Sequence, residues 1–141
     1  MTPSTYECAL LAHTSYRAAL SDDPLEIMCV ACVFRNRVLR YGKTYSEILE
    51  NANICEVVRD WPDIRNPILI NPTTGILAQI EGIYRNETPD LTANHLRKNG
   101  ALWFMRPFDH QDKDDFLDRT VLDNPNEHPL IGVFGSLSFY E

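Results

Sequence analysis

The chain has 141 residues, 44% of them hydrophobic and 23% charged, and carries a formal net charge of −7. This length suits one domain with one core, and the composition excludes a disordered or low-complexity chain. The acidity and the scattering of the 13 basic residues argue against binding nucleic acid, and no apolar run is long enough to span a membrane.

In chain order, Pro3 fits the first turn of a helix, and Tyr6, Leu10, His13 and Arg17 continue it to about residue 20. Ser21-Asp22-Asp23-Pro24 is a helix start: a short polar side chain caps the exposed amides, and proline at the first position gives up no needed donor. The second helix runs over about 24–40 and is apolar nearly all round in its middle, as a buried helix should be. Tyr41-Gly42-Lys43 ends it, glycine supplying the left-handed residue.

A short helix is expected over 46–50 and a further turn over 54–59, followed by a proline-interrupted irregular stretch over 61–72. Asn71-Pro72-Thr73-Thr74 opens the next helix, with Ile76, Leu77, Ile80 and Ile83 as its buried stripe up to residue 85. Residues 101–105 (ALWFM) form a short buried strand, and 130–135 with 137–140 form strands that pair with it. The expected architecture is α+β: helices beside a small antiparallel sheet, in a single domain over 1–141.

Cys8, Cys29, Cys32 and Cys55 read as buried thiols in preference to a metal or redox site; Cys29 and Cys32 make a C-x-x-C, but inside an apolar helical pattern, where cysteine acts as a small hydrophobe. The acidic run over 109–118 lacks the calcium-loop pattern, since Phe116 and Leu117 occupy the places of a ligand and of the turn glycine, so a solvated loop is expected and no metal or cofactor.

The ordered motifs carry a family likeness. Residues 16–38, YRAALSDDPLEIMCVACVFRNRV, resemble the opening of SleB-like cell-wall hydrolases, in which a Y-x-E-A turn precedes an apolar helix ending N-R-V. Tyr45-Ser-Glu-Ile-Leu49 is similar to the segment that follows in that family, and residues 76–82 with Thr88-Pro-Asp-Leu-Thr92 to its helix and D-P-T turn. Gly100-Ala-Leu-Trp-Phe104 resembles its G-A-x-x-F strand, and Ile131-Gly132 with Phe139-Tyr140 its closing strand. The resemblance covers most of the chain and implies a mainly helical lysozyme-like domain and, for active relatives, cleavage of peptidoglycan glycan strands.

The resemblance also locates what is missing. Counting back from Asn36 without a gap, the family's acidic glutamate falls on Ala18, and its closing histidine on Leu137. Breaking a glycosidic bond needs a proton donor at the leaving oxygen, and alanine has none. Asp22, Asp23 and Glu26 are the nearby carboxylates that a shifted loop would have to use, although Asp22 or Asp23 suits the helix cap and Glu26 its first turn. Arg17, beside the vacant position, would keep neighbouring acids ionised, or simply faces solvent.

Tyr16, Trp103, Phe104 and Tyr140 are candidate sugar-stacking aromatics, with Asn36 as a candidate polar contact; the alternatives are core aromatics and a structural hydrogen-bonder. Two functions are expected from this pattern. One is a catalytically impaired hydrolase domain acting as a binding or structural part, with peptidoglycan or other virion subunits as partners. The other is an active peptidoglycan glycosidase with a displaced acid. The bare domain, with no export signal at its start, looks like a bacteriophage protein that stays in the cytoplasm of the producing cell or is packaged in a virion. The acidity counts mildly against a freely diffusing enzyme of anionic walls, because repulsion slows encounters.

Overall fold

The computed structural model describes residues 3–19, 23–50, 74–93, 100–105, 126–134 and 137–141. Within these, α1 is Pro3–Ala19, α2 Pro24–Tyr41, α3 Tyr45–Leu49 and α4 Thr74–Tyr84, and the strands are β1 Trp103–Met105, β2 Leu130–Phe134 and β3 Leu137–Tyr140. The fold class is α+β. The expected turn at 54–59, the irregular stretch at 61–72, the acidic run at 109–118 and Cys55 lie outside the described residues.

α2 is the axis of the domain. Its start follows from local chemistry: Asp23 stands in extended conformation as the N-cap, its carboxylate accepts from the Leu25 amide at 3.0 Å, and Pro24 occupies the first helical position. Its end is the left-handed Gly42 (φ 64°), whose N–H returns to the Val38 carbonyl at 3.0 Å. Between these caps ten residues are buried, from Glu26 to Arg37, on every side of the helix. α1 and α4 pack against it and against each other, and α3 closes on α1 and α2. Leu11, Ile27, Val30, Phe34, Ile48, Ile80 and Ile83 meet in the resulting core with no exposed surface.

The three strands have the order β1-β3-β2, both pairings antiparallel. β3 is therefore central, and the last strand of the chain joins the other two. Its side chains alternate with period two: Leu137 and Phe139 are buried, Ser138 and Tyr140 half-buried. Phe104 lies opposite Phe139 in the register, and these two rings face the helices, where Phe104 meets Phe34 edge-on with centroids 5.8 Å apart. Trp103 lies opposite Tyr140 on the other face of the same strands. A register shift between Leu130 and Gly132 marks a bulge in β2.

The strand expected over 101–105 begins two residues later, at Trp103. Ala101 and Leu102 instead spend their carbonyls on side chains of α2, as described next.

Candidate functional site

Three clusters contain the residues that the sequence singles out. The first is the junction of α1 and α2. Ala18 and Ala19 sit at the end of α1, 4% and 1% exposed, and belong to the central core. Tyr16 is half-buried and packs against that core. Asp23 is the cap described above, and Glu26, in the first turn of α2, is 2% exposed. A first-turn carboxylate complements the helix dipole, so both acids have a local structural role. Asp22 and the side chain of Arg17 lie outside the described residues.

The second cluster surrounds Asn36. Its amide Nδ2 donates to Asp90 Oδ2 at 2.8 Å and to the Ala101 carbonyl at 2.9 Å. Asp90 Oδ1 accepts from the Thr92 amide at 2.9 Å and from the Thr92 hydroxyl at 2.7 Å, and the Thr92 hydroxyl accepts from the Ala101 amide at 2.8 Å. This clasp joins α2, the 88–93 turn and the approach to β1. Both carboxylate oxygens of Asp90 and the Thr92 hydroxyl are bonded within it, which is how a half-buried network is made stable. Gly100 is part of the same design: a Cβ there would overlap Asp90 Oδ2 and come within 2.7 Å of Asn36 Nδ2.

The third cluster lies at β1. Arg37 is 1% exposed; its Nε donates to the Leu102 carbonyl at 2.8 Å, and its guanidinium sits 5.2 Å from the Trp103 ring centroid, 5.4 Å from Phe34 and 5.9 Å from Phe104. The ring of His128 meets Trp103 edge-on at 6.2 Å, and His128 Nδ1 is 2.9 Å from the Glu141 carbonyl oxygen. Phe104 is 6% exposed and a core residue, whereas Trp103 and Tyr140 are half-buried neighbours across the sheet. The structure thus brings Trp103 and Tyr140 together in register and places Phe104 apart from them, in the core.

Several residues that hold these clusters in place are not among the site candidates that the sequence offers. Asp90-x-Thr92 has the pattern of a side-chain-closed turn and was legible in principle. Glu7 gave no signal: from α1 it accepts from the Ser46 amide at 2.8 Å and from the Tyr84 hydroxyl at 3.0 Å, joining three helices. Burial and this bond to the Glu7 carboxylate push the Tyr84 hydroxyl up to about 12. Beside it, Tyr45 stacks on Tyr84 with centroids 4.8 Å apart, and burial raises its hydroxyl too. Arg35 donates to the Ile83 and Thr88 carbonyls at 3.3 and 2.6 Å, finishing α4.

Burial also pushes the Cys29 thiol up to about 12 and the Cys32 thiol up to about 11. Both are free and fully buried, so they are core groups and poor nucleophiles. No group of three or more His, Cys, Asp or Glu suited to a metal ion occurs among the described residues, and no described helix is long and apolar enough to cross a membrane.

No family model matches the chain, and no curated protein or solved structure matches it. The likeness to cell-wall hydrolases stands on the ordered motifs alone.

Proposed function

We propose that the chain is a catalytically impaired relative of the SleB-like cell-wall hydrolases, of lysozyme-like fold, that serves as a binding or structural part, most naturally within a bacteriophage virion. One observation carries the reading. The position that matches the family's glutamate is Ala18, 4% exposed inside the apolar core, and the described carboxylates nearest in sequence are a helix cap, Asp23, and a buried first-turn residue, Glu26. Asp23 accepts from the Leu25 amide as a helix cap, and Glu26 is 2% exposed. A general acid has to come within hydrogen-bond reach of the glycosidic oxygen, and a carboxylate buried in the first turn of a helix does not. The half-buried pair Trp103 and Tyr140 would supply contact area for a wall glycan or a neighbouring subunit without any proton transfer.

Co-sedimentation with purified peptidoglycan sacculi, with soluble muropeptides followed in the same tubes, tests the reading. Retention on the sacculi without released fragments is the result expected of a wall-binding part. Neither retention nor release points to the virion-subunit role, for which co-purification with virions is the corresponding assay. Release of fragments refutes the proposal and favours a displaced acid, for which Asp22, Asp23 and Glu26 are the candidates the sequence offers.

A further inference from the structure

We draw no further inference here: the strongest candidate, the edge strand β2 with its exposed Leu130 and Val133 beside the Trp103 and Tyr140 pair, carries nothing because nothing in the structure shows what covers it.

Discussion

Gly100→Ala is the substitution for which the structure gives the sharpest expectation. The added methyl falls on Asp90 Oδ2 and crowds Asn36 Nδ2, so the carboxylate has to move out of the clasp. Moving it sacrifices the 2.8 Å bond from Asn36. A hydrogen bond to a carboxylate contributes about 1.5–3 kcal/mol, and forcing a methyl into packed surroundings costs about 1 kcal/mol or more. The expected loss is therefore roughly 2.5–4 kcal/mol, or roughly 8–14 °C in Tm for a domain of this size. Urea unfolding followed by circular dichroism measures it. The same substitution in an Asp90→Ala background meets no carboxylate, and its additional cost should fall below about 1 kcal/mol. An equal cost in both backgrounds, or a loss under about 0.5 kcal/mol in the wild-type background, would refute the clasp as described.

Other substitutions test other joints. Glu7→Ala removes the acceptor shared by Ser46 and Tyr84 and should cost about 2–3 kcal/mol, while Tyr84→Phe, which loses only one bond, should cost about 1 kcal/mol, both read from denaturant midpoints. Thr14 and Ser15 are fully buried, and among the described residues neither hydroxyl has a hydrogen-bond partner. Thr14→Val and Ser15→Ala should therefore be neutral or stabilise by up to about 1 kcal/mol in thermal melts; a loss above about 1 kcal/mol would mean that the hydroxyls are satisfied. Cys29 and Cys32 ionise more readily in the unfolded chain, at the ordinary thiol value of 9.0, than in the fold, at about 12 and about 11. Their contribution to stability is fully present below pH 9 and is lost as pH rises through those folded values; urea midpoints of wild type should fall in that window more steeply than those of a Cys29→Ala, Cys32→Ala variant.

Most of the helical frame was legible because its signals are local. Asp23-Pro24 and Gly42 delimit α2 by capping chemistry that needs no tertiary contact, and the apolar middle of the helix announces its burial. The short helix expected over 46–50 forms one residue earlier, at Tyr45, because Thr44 supplies the cap by accepting from the Glu47 amide at 3.1 Å. Strand existence was legible from aromatic runs, but strand order was not. The arrival of Leu137–Tyr140 between β1 and β2 depends on which rings reach the core, a long-range outcome decided by Phe104 and Phe139. The site was legible only as residue types. Asn36 could have faced a ligand or the backbone, and what decides is Asp90, 54 residues away. Arg37 enters the sequence reading only as the middle residue of the N-R-V helix end, yet three aromatic rings and a carbonyl enclose it.

Under the proposed function no proton donor serves glycan cleavage, and release of soluble muropeptides from purified peptidoglycan is the decisive measurement. The assay compares wild type with Ala18→Glu and with Asp22→Ala, Asp23→Ala and Glu26→Ala, each variant first checked for cooperative unfolding because Ala18, Asp23 and Glu26 have structural roles. No release by wild type is expected, and release by Ala18→Glu would mark the junction of α1 and α2 as the former cleft. Release by wild type that one of the three carboxylate variants abolishes would contradict the account and identify the acid.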